Sequence, residues 1–131
     1  MDEIQIDRDE FIQAMTNLMR NSIQALQNAP SENPRVVELK SFSDKNQLII
    51  EIADTGSGIA EEVQGYLFEK QFTTKSPDDG TGIGLGISRR FIRAYGGDLI
   101  FVSSKAFEKT MFQIRIPLKS EIALSEKEGA A

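Results

Sequence analysis

The 131-residue chain has no cysteine and no histidine. Without thiols it can form neither a disulfide framework nor a thiolate metal site, which fits a reducing compartment. Without imidazoles it has no histidine metal ligand, no histidine general base and no histidine that could accept a phosphoryl group. Long apolar runs are missing too. The longest, LIIEIA at 48–53, is far short of the roughly 20 residues that span a bilayer, and no signal peptide is visible. Nor is there a basic cluster: 15 Lys and Arg lie scattered among 20 Asp and Glu, leaving a net charge of −5. That balance argues against a nucleic-acid groove, which needs grouped cations. An anionic ligand would need local help from backbone amides or single cations.

What is present suits one globular domain, large enough to bury about two thirds of its unfolded surface. EIQID at 3–7 alternates Ile4 and Ile6 with polar residues and predicts a short strand. Asp7 and Glu10 have capping-box spacing and predict a helix to about residue 28, ended near Pro30. Its apolar arc is Phe11, Met15, Leu18, Met19, Ser22, Ile23 and Leu26, with Gln13, Asn17, Arg20, Asn21, Gln24 and Asn28 on the opposite side. Strands at 35–42 and 47–53 form a hairpin through SDKN, and a short helix follows at 61–68. A polar segment, 69–80, leads into a second long helix that Gly96 and Gly97 stop, and a last hairpin uses 98–103 and 110–118. The expected fold is α/β: a two-layer sandwich whose mixed, mostly antiparallel sheet of about five strands carries about three helices on one face.

Three stretches carry chemistry. Gly80, Gly82, Gly84 and Gly86 alternate into a helix start, exposing amides and the positive end of the helix dipole, a setting suited to phosphate. The run matches neither the Walker A loop nor the dinucleotide fingerprint. Asp54 ends an apolar strand with Gly56 and Gly58 just beyond, so a carboxylate acceptor for an exocyclic amine stands beside backbone that a flat ring could approach. Asn17 and Asn21, at i and i+4, present neighbouring amides, and a neutral amide oxygen suits a hard divalent ion that shares phosphates. Taken singly, each has a plainer reading: a flexible linker, an Asp-Gly turn with a local acceptor, and an exposed polar helix face.

The four boxes NLMRN, DTGSG, FEKQFTTK and GTGIGLG, in this order and spacing, resemble those of the ATP-binding catalytic domain of sensor histidine kinases, in the superfamily that also holds gyrase, MutL and heat-shock chaperones. The resemblance covers about residues 1–118 and leaves 119–131 as a frayed tail. It implies the α/β sandwich of that superfamily, with ATP between two long helices under a lid at about 60–81. It makes Asn21 the magnesium ligand and Asp54 the acceptor of the adenine amine, with Gly56, Gly58 and Ile59 shaping the adenine floor and the Thr110 hydroxyl assisting. Phe68 and Phe72 become lid aromatics. Lys75, with Thr73 and Thr74, reaches the phosphates, while Gly80, Thr81, Gly82, Ile83, Gly84 and Leu85 offer backbone to them. Asn17 stands where hydrolysing relatives carry glutamate. An amide is a very poor base, so phosphoryl transfer is expected over hydrolysis.

The expected catalytic positions are thus Asn17, Asn21 and Lys75. The acceptor implied is a histidine on a separate helical dimerisation domain, with a response regulator addressed indirectly. The domain itself is expected to be cytoplasmic and to touch neither nucleic acid nor membrane. Three residues depart from the family pattern: Gln71 in place of a proline, Lys109 in place of a glycine, and Gln24 where many relatives have lysine. An anti-sigma-type serine or threonine kinase and a non-catalytic nucleotide-gated interaction module remain alternatives.

Overall fold

The computed structural model describes residues 3–69 and 81–119, the first three of the second stretch by backbone alone. In chain order the elements are α1 (Arg8–Gln27), β1 (Val37–Asp44), β2 (Gln47–Asp54), α2 (Glu61–Gln64), α3 (Thr81–Ala94), β3 (Asp98–Lys105) and β4 (Lys109–Pro117). The four strands form one sheet in the order β1-β2-β4-β3.

All three pairings are antiparallel. The expected mixed sheet of about five strands is therefore a purely antiparallel sheet of four among the described residues. The strand predicted at 3–7 reduces to a single bridge between Glu3 and Lys119, because alternation without a continuous partner makes no ladder. β2 and β3 run in the same direction, but β4 lies between them. The crossover through α2 and α3 thus leaves a gap that the last strand fills.

Asp7 caps α1 as its spacing predicted, accepting the Glu10 N–H at 2.9 Å. The Glu10 carboxylate takes the Tyr95 hydroxyl at 3.0 Å, tying the start of α1 to the end of α3. Ala14, Leu18 and Ser22 form the buried ridge of α1. Ile23, expected on that arc, is 47% exposed; it lies about 100° further round the helix than Ser22. The β1–β2 turn places both Lys45 and Asn46 at positive φ, 49° and 67°, as a two-residue type I′ hairpin requires. At the end of α3, Gly96 adopts φ +85°, and its N–H and that of Gly97 return to the carbonyls of Arg93 and Ile92. This Schellman closure needs a residue that tolerates the left-handed region.

The core lies between the sheet and the two long helices. Ile50 and Ile52 of β2, Phe112, Ile114 and Ile116 of β4 and Leu99 of β3 meet Leu18, Leu85 and Ile92 from the helices. Burial along β4 alternates strictly, with Phe112, Ile114 and Ile116 inward as their period-two spacing predicted. Gln113 on the other face donates to Glu51 at 2.9 Å. No described helix is long and apolar enough to cross a membrane.

Candidate nucleotide site

The helix-facing side of the sheet changes from apolar to polar at one end. Register places Asp54 of β2 opposite Thr110 of β4, and Thr110 opposite Ser104 of β3, so three polar residues form a row across three strands. Asp54 and Thr110 are each only 3% exposed. The Thr110 and Ser104 hydroxyls lie 2.8 Å apart, and Ser104 also accepts the Ile59 N–H at 2.9 Å.

Ser22 of α1, 1% exposed, hydrogen-bonds the Asp54 side chain, and the Gly56 N–H donates to Asp54 Oδ1 at 2.9 Å. Burial raises the Asp54 carboxyl above its usual range, and these two donors act against it. The result is a sequestered acceptor whose roughly four lone-pair sites are only partly used.

The loop after Asp54 is held from three sides. Ser57 N–H donates at 3.0 Å to Ala25 O, one of the α1 carbonyls that has no partner within the helix. Gly56 O accepts the Phe107 N–H at 2.8 Å, and Phe107 takes φ +65° in the tight β3–β4 turn. The Thr55 hydroxyl bridges Pro34 O and Val36 N at 2.6 and 3.0 Å. A Cβ on Gly56 would stand 2.5 Å from the Ala25 backbone, and one on Gly58, which has φ +77°, would stand 3.0 Å from Ala106 Cα and Ser104 Oγ. Both glycines are therefore required by close approach.

The second half of the site is the crossing of α1 and α3. Asn17 and Asn21 are half-buried, not turned to solvent. The Asn17 amide donates to Gly84 O at 3.3 Å and to the Ser88 hydroxyl at 3.2 Å, and Ser88 in turn donates to Gly84 O at 2.7 Å. A Cβ on Gly84 would lie 3.1 Å from Asn17 Cγ. This glycine lets the helices meet, and its carbonyl is engaged in their contact. The Leu85 side chain lies in the core, leaving only its backbone for a ligand. The backbone of Thr81, Gly82 and Ile83 forms the first turn of α3, where helix N–H groups lack intrahelical partners.

Asn21 lies one turn from Asn17 and directly precedes Ser22, so α1 links both halves. Asn17 and Ser22 are about 7.5 Å apart along its axis at 1.5 Å per residue. Among the described residues no group of three or more carboxylates is placed to hold a metal. The Asn21 amide oxygen does fit a magnesium ion that keeps waters and phosphates as its other ligands.

Phe68 packs edge-on against Phe112 with centroids 6.2 Å apart, and the Arg89 guanidinium lies 4.5 Å above its ring. Arg89 and Arg93 both bind Asp98, at 3.1 and 3.0 Å. Burial alone would raise the Asp98 carboxyl, but hydrogen bonds from both arginines and the Leu99 N–H hold it below its usual range. Gln71, Phe72, Thr73, Thr74, Lys75 and Gly80 lie outside the described residues, as do the rest of 70–80 within the expected lid and the tail from residue 120. Sequence reasoning missed Ser104 and Ser88, and it counted Ser22 only as part of an apolar arc. A hydroxyl amid apolar neighbours was the one signal available for Ser22.

A family profile described as histidine kinase-, DNA gyrase B- and HSP90-like ATPase matches residues 6–120. Sensor protein FixL of Bradyrhizobium diazoefficiens is 35% identical over 120 residues, which are 92% of this chain and 23% of that protein. Sensor histidine kinase ZraS of Salmonella typhi is 36% identical over 115 residues, 88% of this chain and 23% of that protein. The chain thus spans about a quarter of the length of these relatives. Among solved structures, a nucleotide-free catalytic domain of the histidine kinase ThkA superposes with a TM-score of 0.69 at 29% identity, covering 87% of this chain and 70% of that one. The resemblance drawn from the four boxes is borne out.

Proposed function

We propose that this chain, which belongs to the family of histidine kinase-, DNA gyrase B- and HSP90-like ATPases, binds ATP and passes its γ-phosphoryl group to a histidine on a separate helical domain. The observation that carries this reading is the buried Asp54, opposite Thr110, beside a loop whose Gly56 and Gly58 are held in close contact with α1 and the β3–β4 end of the sheet.

In this reading the adenine amine donates to Asp54 and the ring lies against the 56–59 backbone, with Thr110 closing the polar row. The triphosphate runs along α1 toward the first turn of α3, where N–H groups outside the intrahelical ladder and the helix dipole favour negative charge. Thr73, Thr74 and Lys75 are proposed to meet the phosphates from the segment before α3. Asn21 would hold magnesium, whose charge offsets that of the phosphates when bound. Asn17 is a donor toward α3 and has no useful basicity, so water attack is not promoted. The acceptor imidazole nitrogen then forms the N–P bond as the bond from γ-phosphorus to the bridging oxygen breaks and ADP leaves. Because this chain has no histidine, the acceptor must come from another domain or chain. A cytoplasmic location and a response regulator downstream belong to the same proposal.

The test is to mix the chain with ATP labelled in the γ-phosphate and a histidine-bearing dimerisation domain from a related sensor kinase. An acid-labile, alkali-stable phosphoryl group on that domain is the expected product. An acid-stable product would point to serine or threonine transfer, and tight ATP binding with no transfer to any acceptor would point to an interaction module.

A further inference from the structure

We propose that Ser22 is a positioning residue for adenine recognition: its hydroxyl, buried in the α1–sheet contact, fixes the Asp54 carboxylate as an acceptor aimed at the exocyclic amine. The inference rests on the ATP-binding reading above and goes beyond it, since none of the four boxes requires a hydroxyl at this position.

Three observations support it. Ser22 is 1% exposed on the inward ridge of α1, between Leu18 and the helix end, where an apolar side chain would pack as well or better. Its hydroxyl bonds the Asp54 side chain, itself 3% exposed. The only other protein donor described on that carboxylate is the Gly56 N–H at 2.9 Å, which holds Oδ1. With Gly56 alone the carboxylate would be fixed at one oxygen and free to turn about its axis. A second donor, delivered by a different element, removes that freedom.

The two donors described on this carboxylate are both neutral, and they leave the group an acceptor. Among the described residues, no arginine or lysine shifts the Asp54 carboxyl. The carboxylate can therefore meet a neutral amine without a competing ion pair. A 6-oxo purine, presenting an acceptor at the same place, would face acceptor against acceptor. Ser22 thus supports the choice of 6-amino over 6-oxo purines without touching the base.

The test is calorimetric titration of the whole chain with magnesium ATP and with the purine riboside triphosphate that lacks the exocyclic amine. Ser22→Ala should weaken ATP about tenfold, as expected for loss of a hydrogen bond to a charged group. The deaminated analogue should change by less than about twofold, because the bond acts only through the amine acceptor. Ser22→Thr, which keeps the hydroxyl, should restore most of the ATP affinity. In an Asp54→Asn background, Ser22→Ala should cause no further loss.

Equal weakening of both nucleotides by Ser22→Ala, or no weakening of either, would overturn the proposal. Should Ser22→Ala fail to fold, Ser22→Cys, close in volume and a much weaker donor, gives the same comparison. If wild-type chain binds neither nucleotide, the ATP-binding reading itself falls. If wild type binds ATP, Asp54→Asn does not and Ser22→Ala binds as wild type, only the role of Ser22 falls.

Discussion

The two ends of the candidate cleft are built differently. At the base end the 54–59 loop is held by α1 through Ala25, by the 34–36 segment through Thr55, by the β3–β4 turn through Phe107 and by β3 through Ser104. At the phosphate end two helices touch through one compact junction of Asn17, Gly84 and Ser88, and the donors expected to matter are N–H groups at the start of α3. The base end is pre-organised by the fold, and the phosphate end depends on how α3 sits on α1. Adenine recognition should therefore tolerate little change anywhere in its frame, whereas triphosphate affinity should be adjustable through the helix crossing.

The largest expected effect comes from breaking the base end. Gly56→Ala places a methyl 2.5 Å from the Ala25 backbone, and chemical denaturation should show a loss of about 3 kcal/mol or more. Adenosine and ATP should then be weakened alike. Next, Asp54→Asn should lower ATP affinity about a hundredfold in calorimetry without lowering the melting temperature. The sign follows from the raised carboxyl: its favourable contribution to folding is present below the unfolded value of 3.8 and is lost as pH rises through the higher folded value. At neutral pH the buried charge therefore opposes folding, and the neutral amide relieves it.

Gly84→Ala sharpens the contrast from the other end. Better helix propensity offsets the 3.1 Å approach to Asn17, so net stability should change by no more than about 1 kcal/mol. ATP should weaken about three- to tenfold while adenosine is unaffected; equal loss of both would erase the distinction between the two ends. The smallest effect belongs to Tyr95, whose hydroxyl is pushed up to about 12 by burial and by Glu10. Its contribution is complete below pH 10 and is lost as pH rises from 10 through about 12. Tyr95→Phe should flatten the stability–pH curve in that window and leave nucleotide affinity unchanged.

Much of this was legible in the sequence. Asp7 and Glu10 announced the start of α1, Gly96 and Gly97 announced the end of α3, and β4 alternated as its burial does. Asp54 and the two glycines beside it were identified through the box pattern and Thr110 through the family resemblance, and the fold brings them together. Features that depend on contacts between elements were not legible. EIQID alternates like a strand, but a strand exists only where a partner continues beside it. Asn17 was expected on the side away from the apolar arc, yet α3 covers that side, and Gly84 is glycine partly because Asn17 presses on it. Ser22 and Ser104 matter through neighbours 32 and six residues further along the chain, which no local periodicity reveals.

The placement of β4 in the middle of the sheet has a consequence for biosynthesis. Of the four described strands the last to be synthesised supplies the central row of the core and Thr110 of the cleft, so β2 and β3 must wait, each with an unpaired edge, until it arrives. Nucleotide cannot assist folding before that point. The nascent chain should pass through a sticky, ligand-blind interval that ends abruptly once residues 109–117 emerge, and chaperone capture should be greatest within it.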